Sequence, residues 1–348
     1  MTEGKEDPVE DALPRGSSIT RRELLKRAGT TAALISIGAF PKHRASGGSE
    51  QSKSAILVYL HGGPSHIDLW DPKSDVPEAM RSPFRSIPTR VQRVEFTEIL
   101  PRLAATNDLF TIIRSMSCQP CGLFFHDAAV HQMLTGRVAA HADQAGRLED
   151  RRVLDISVIE QIEVSNEGRA TSERYGRNKF GQQLLRARQL VESGERVVQV
   201  HWPWRAASDP FSWDVHDNLS ENMRKYSGPV LDKGLSALFA DLEQRGLLDR
   251  VLVVAAGEFG RSPKKGMSTS GNGNSLNGRD HWPYCYSVII GGGGVKRGFV
   301  YGESDERGSL PVRDPVSPAD LAATIRHVVG PVPPASLESG RVITGLFG

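Results

Sequence analysis

Five short apolar runs constrain this chain most: Ala55 to Leu60, Phe110 to Ile113, Val197 to Val200, Val251 to Ala255 and Ser287 to Ile290. Each is continuous rather than alternating and rich in β-branched residues, the pattern of a strand covered on both faces. Stretches of helical period separate them. Phe180 to Ser193 carries Leu184, Leu185, Ala187, Leu190 and Val191 and stops at Gly194, while Leu231, Leu235, Leu238, Phe239 and Leu242 form a second apolar face ended by Gly246. Ser317-Pro318-Ala319-Asp320 opens a third helix with a serine cap, proline at the first helical position and an early acid. Strands alternating with helices predict one α/β domain built on a mostly parallel sheet covered on both faces.

At 348 residues and 39% hydrophobic the chain is long enough to bury a sizeable core, which excludes a disordered tail or a disulfide miniprotein. Its 43 basic and 41 acidic side chains are mixed along the sequence, so no bulk-charge footprint for nucleic acid or anionic lipid exists. Cys118, Cys121 and Cys285 are too few for a disulfide framework; Cys118 and Cys121 are spaced to pair in an oxidising compartment, or all three are buried thiols. At the N-terminus, Thr20-Arg21-Arg22-Glu23-Leu24-Leu25-Lys26 precedes a mildly apolar stretch from Ala28 to Phe40. This reads as a twin-arginine export signal over residues 1–45, followed by a Gly/Ser-rich linker over 46–54 and a single domain over 55–348. The stretch is too short and too weakly apolar to span a bilayer, so no stable membrane span is expected and the mature chain is expected in the periplasm or outside the cell. Residues 136–178, charged and poor in large apolar side chains, read as a helical excursion or a lid, and Ser262 to Arg279, with Gly271-Asn272-Gly273-Asn274, as a surface loop.

Polar motifs fall at the ends of the apolar runs. The first run leads into His61-Gly62-Gly63-Pro64-Ser65-His66-Ile67-Asp68-Leu69-Trp70-Asp71-Pro72, beyond the carboxyl end of a strand, where open α/β sheets bind ligands. His66 and Asp68 are two apart, on one side of an extended backbone. After the third run, Trp213-Asp214-Val215-His216 repeats acid and imidazole two apart, and Gly278-Arg279-Asp280-His281-Trp282-Pro283 leads into the fifth. The fourth run ends in Gly257-Glu258-Phe259-Gly260-Arg261, whose acid, if buried, needs a metal or an ion pair with Arg261. Phe125 to Arg137 reads as a helix, with Asp127 and His131 four apart on one face. Carboxylate with neutral imidazole is the ordinary donor set of Zn²⁺ or Mn²⁺. No Gly-x-Ser-x-Gly elbow, P-loop or dinucleotide fingerprint is present, so serine-hydrolase chemistry and nucleotide binding have no support.

Taken in order, the twin-arginine leader, Gly62 to Lys73, His126 to Gly136, Trp213 to His216, Gly257 to Arg261 and Gly278 to Pro283 resemble the domain of unknown function 1501 family, related to the alkaline phosphatase and sulfatase superfamily. The resemblance implies an alkaline-phosphatase-like α/β/α sandwich and a site for one or two divalent metals, Zn, Mn or Ca. In that superfamily the sulfatase nucleophile stands nine residues before the threonine of Leu134-Thr135-Gly136-Arg137, a position held here by His126. A conventional Ser, Thr or formylglycine nucleophile is therefore missing, Cys121 is out of register, and metal-activated water is the expected attacker. The implied metal ligands are His66, Asp68, Asp214, His216, Asp280 and His281. Glu258 is a further ligand or base and His126 a catalytic candidate, with Arg261 and Arg279 binding the anionic ester of a small molecule or glycan. The rival expectation is an exported, non-catalytic binder of sulfated or phosphorylated glycans on the same scaffold.

Overall fold

Burial on both faces sorts the five runs into one sheet. A computed structural model describes residues 53–118, 124–135, 167–203, 211–330 and 340–348, all within a compact unit spanning Gln51–Gly348. The expected export signal, Cys121, the Leu-Thr-Gly-Arg run beyond Thr135 and most of 136–178 lie outside the described residues. The strands are β1 (Ser54–Tyr59), β2 (Thr111–Met116), β3 (Val197–His201), β4 (Val251–Ala256), β5 (Tyr286–Gly291) and a short β6 (Phe299–Tyr301). Their spatial order is β6-β2-β5-β4-β1-β3. β1 runs parallel to β3 and β4, and β2 to β6, while β5 is antiparallel to both neighbours. The sheet is thus mostly parallel, as expected, with one reversed strand.

Successive side chains alternate between two apolar layers. Ile56, Val58, Val198, Val200, Val251 and Val253 pack beneath α2 (Lys179–Glu192) and α3 (Gly228–Gln244). Ala55, Val197, Leu252, Val254, Val288 and Ile290 pack with Leu321, Val328 and Val329 of α4 (Pro318–Val329) on the other face, where α1 (His126–Thr135) lies against α4. The result is an α/β/α sandwich. Local chemistry sets the helix starts: the Asn178 side chain accepts from the Gly181 N–H, and Ser317 and Asp320 form a reciprocal capping box. The described part of the 136–178 stretch contains a helix, Arg169–Tyr175. No helix among the described residues is long and apolar enough to cross a membrane.

The reversal of β5 decides where its motif lies. Asp280 and His281 precede β5, so they stand at its amino end; because β5 runs against its neighbours, that end meets the carboxyl ends of β1, β3 and β4.

Candidate metal centre

Chain turns at this edge of the sheet bring four segments together. β1 runs into Gly62, whose φ of +107° is a left-handed conformation and whose missing Cβ would stand 2.5 Å from the Asp214 amide nitrogen. Glycine there lets the turn after β1 touch the segment Trp213 to His216. Beyond β4, Gly260–Arg261 pairs antiparallel with His281–Trp282, setting Arg261 opposite His281. α1 begins at His126, which meets the same cluster.

Asp214 is the hub. Its Oδ1 accepts from Arg261 Nη2 at 2.6 Å and lies 2.8 Å from His216 Nε2 and 3.1 Å from His281 Nε2, while Oδ2 is 3.3 Å from His126 Nε2. The two Nε2 atoms of His216 and His281 face each other at 3.1 Å. Burial pushes the Asp214 carboxyl up, but the Arg261 guanidinium and the surrounding imidazoles outweigh it and hold the group far below the usual carboxylate range. Burial pushes His126 down, yet the carboxylates of Asp214 and Glu258 beside it raise its pKa to about 9. His281 is lowered, chiefly by burial.

The chemistry of the donor set itself favours a cation. The Nδ1–H of His281 donates to the Phe124 carbonyl, so in the neutral ring the Nε2 lone pair faces a carboxylate oxygen and a second imidazole nitrogen. Lone pairs aimed at one another repel unless a proton or a cation lies among them. His126 Nε2 and His216 Nδ1 are buried without a hydrogen-bond partner. Two groups, His126 with Asp214 and His281, and His216 with Asp280 and His281, each have potential ligand atoms within 4.8 Å of one another. These residues fit a divalent metal.

The family profile described as "Protein of unknown function (DUF1501)" matches residues 52–149 and 137–339. The chain belongs to the DUF1501 family. Among curated proteins none matches it. Among solved structures it is similar to a phosphonate monoester hydrolase from Silicibacter pomeroyi at 14% identity, with 84% of this chain and 76% of that one covered and a TM-score of 0.42. It is also similar to a sulfatase from Pseudoalteromonas sp. at 10% identity, covering 86% and 72%, with a TM-score of 0.44. A third is the lipoteichoic acid synthase LtaP from Listeria monocytogenes, at 12% identity over 83% and 74%, with a TM-score of 0.43.

In this DUF1501 chain the structure brings His126, Asp214, His216, Asp280 and His281 together and commits the other expected residues elsewhere. Asp68 and His66, both expected as ligands, have other partners. Asp68 accepts from Arg279 Nε at 2.7 Å and from Ser65 Oγ at 2.6 Å, entirely buried, and His66 Nε2 is engaged with the Gly308 carbonyl at 2.9 Å. Neither belongs to a group of three potential ligands among the described residues. Both arginines are held by partners within the protein. Arg279 spends its remaining donors on the carbonyls of Ser262, Pro263 and Met80, and Arg261 on those of Gly62, Gly63 and Arg279 besides Asp214. Arg279, fully buried, has every N–H engaged by the protein, and four hydrogen bonds hold the buried Arg261 in place. Asp280 stands at the edge of the centre, 3.6 Å from His216 Nδ1, with its carboxylate accepting from Ser270 Oγ and from the N–H groups of Thr269, Ser270 and His281. These donors outweigh burial and hold its pKa down. Glu258 forms no pair with Arg261; it lies behind His126, with Oε1 2.5 Å from Nδ1. Sequence reasoning missed the Phe124 carbonyl and Tyr59, since a backbone acceptor and the last residue of an apolar strand carry no motif. Cys118 is buried as a thiol beside Tyr286.

Proposed function

We propose that this DUF1501 protein is a metal-dependent hydrolase of phosphate or sulfate esters. The observation that carries the reading is the convergence of three imidazole Nε2 atoms on the Asp214 carboxylate, each within 3.3 Å of one of its oxygens. Asp214, His216, His281 and His126 would hold the ion, with Asp280 beside them. A donor set this rich in imidazole suits Zn²⁺ or Mn²⁺ and disfavours Ca²⁺, which takes oxygen ligands. A divalent cation bound there supplies Lewis-acid polarisation of an ester oxygen and acidification of water.

The chain's own residues do the rest. Arg261 balances the charge of Asp214, so the carboxylate stays ionised in a buried place. Phe259, fully buried, covers the imidazoles of His126 and His281 at ring distances of 5.0 and 4.7 Å and keeps water from that side. His126 and His216 are the partly exposed members, with side chains 25% and 21% accessible, so a substrate approaches past them. Water is the expected source of the attacking oxygen, because His126 stands where the sulfatase-type nucleophile would. In the reading, the leaving alcohol departs with one proton and the acid with the other. The substrate is a small-molecule or glycan ester, and the protein acts in the periplasm or outside the cell after twin-arginine export.

Metal content of the purified protein, by inductively coupled plasma mass spectrometry, tests the centre. One or two ions per chain are expected, lost in His216→Ala and in His281→Gln, with turnover of aryl phosphates or sulfates that disappears with a chelator and returns with Zn²⁺ or Mn²⁺. A wild-type protein that holds no metal and takes up none on incubation overturns the reading. Metal without turnover, together with retention of sulfated glycans, moves it to the binding-protein alternative. Replacement of Arg21 and Arg22 by lysine should leave the protein in the cytoplasm by cell fractionation.

A further inference from the structure

We infer that Glu258 is neither a metal ligand nor a base but a positioning residue, which fixes the tautomer and direction of the His126 imidazole and so controls whether the metal centre forms. The inference rests on the metal-dependent reading above.

Both oxygens of Glu258 are already committed. Oε1 accepts from the Gly62 amide at 2.9 Å and stands 2.5 Å from His126 Nδ1, and Oε2 accepts from the Tyr59 hydroxyl at 3.2 Å. The residue is 1% exposed, and no group of potential metal ligands among the described residues includes it. Arg261, the nearest cation in sequence, is paired with Asp214 instead. What remains is the contact with the ring. With Nδ1 held by the carboxylate, the ring of His126 is turned so that Nε2 points at Asp214 Oδ2, 3.3 Å away, in a buried place without a hydrogen-bond partner of its own, where a bound cation would displace any proton it carries. Two imidazoles therefore turn the same nitrogen toward Asp214 by different means: a backbone carbonyl holds Nδ1 of His281, and a carboxylate holds Nδ1 of His126. A carboxylate also raises the electron density of the ring it holds, which strengthens the ligand.

The Gly62 and Tyr59 contacts explain why the lever is stiff. Tyr59 ends β1 and Gly62 lies in the turn that follows it, while Glu258 lies just beyond β4, the strand paired to β1. The carboxylate is thus held from the sheet side, and only its third contact reaches α1.

Titration with Co²⁺, followed by visible absorption, separates the possible roles in wild type, Glu258→Gln, Glu258→Ala and Asp214→Ala, with circular dichroism and thermal melts to establish folding. Glu258→Ala is expected to weaken Co²⁺ binding about 10- to 100-fold, the usual cost of losing a residue that supports a metal ligand. Glu258→Gln, whose amide oxygen still accepts from Nδ1–H, is expected to bind more tightly than Glu258→Ala and to keep the band positions of wild type. Wild-type binding with an unchanged affinity in folded Glu258→Ala overturns the inference and leaves the metal reading intact. Shifted bands in Glu258→Gln, the sign of a changed coordination sphere, overturn it in favour of direct ligation. Absence of Co²⁺ uptake by wild type overturns the metal reading itself, and the inference with it.

Discussion

Gly278 has no room for a side chain: a Cβ there would stand 1.9 Å from the His216 carbonyl oxygen, a backbone atom that can move only by displacing the histidine. Gly278→Ala should therefore weaken Zn²⁺ binding by about 10-fold or more, as loss of a supporting contact does at metal sites, which isothermal titration would measure. Arg279 makes the opposite prediction to the one its type suggests. Removing it in Arg279→Met strands the fully buried Asp68 carboxylate, a change that costs about 3–5 kcal/mol. Urea unfolding should show that loss, while the KM for an anionic ester stays at the wild-type value. A substrate-binding arginine would raise KM and spare stability. Arginine and carboxylate were legible in the sequence as groups needing charged partners, but guanidinium binds an ester oxyanion, a carboxylate and a peptide carbonyl through the same donors. Only the packing says which one it meets.

Helices and strands show the same division. The starts of α2 and α4 follow from Asn178 and Ser317, residues whose side chains cap the first turn in place. The five apolar runs all became strands of the sheet, because continuous β-branched sequence has two faces to bury. β6 carries no such sequence signal, being three residues long and partly exposed at the sheet edge. α3 carries a buried acid with a consequence for pH. Asp232 accepts from the amides of Leu103 and Arg102 at 2.8 and 3.0 Å, tying α3 to the start of a short helix at Pro101–Ala104. Burial raises its pKa to about 6, against the pull of those amides. Between the unfolded value near 3.8 and about 6 the folded chain holds a proton that the unfolded chain has released, so this group's contribution to stability is present at low pH and is lost as pH rises through that window. Relative to Asp232→Asn, the wild type should lose about 2.4 kcal/mol between pH 4 and pH 7, read from urea midpoints at each pH.

For the molecule as a whole, a metal at the proposed centre would be held by α1, the segment after β3 and the segment before β5, and would link all three to folding. Zn²⁺ at about 100 times its Kd should stabilise the protein by about 2.7 kcal/mol, seen as a rise in Tm that a chelator reverses and that His281→Gln lacks. If the melting temperature does not respond to Zn²⁺, the imidazoles do not form a native-state site. What the sequence by itself determined was local: strand and helix identity, caps, the glycine turns at strand ends and the family motifs, since each depends on residues within one or two turns of one another. The tertiary structure alone decided the direction of β5, and with it the meeting of His281 with Asp214 across 67 positions and of Arg279 with Asp68 across 211. Opposite charges and metal donors are interchangeable along a chain; the fold's topology selects among them, because a buried charge takes the partner that packing places within reach.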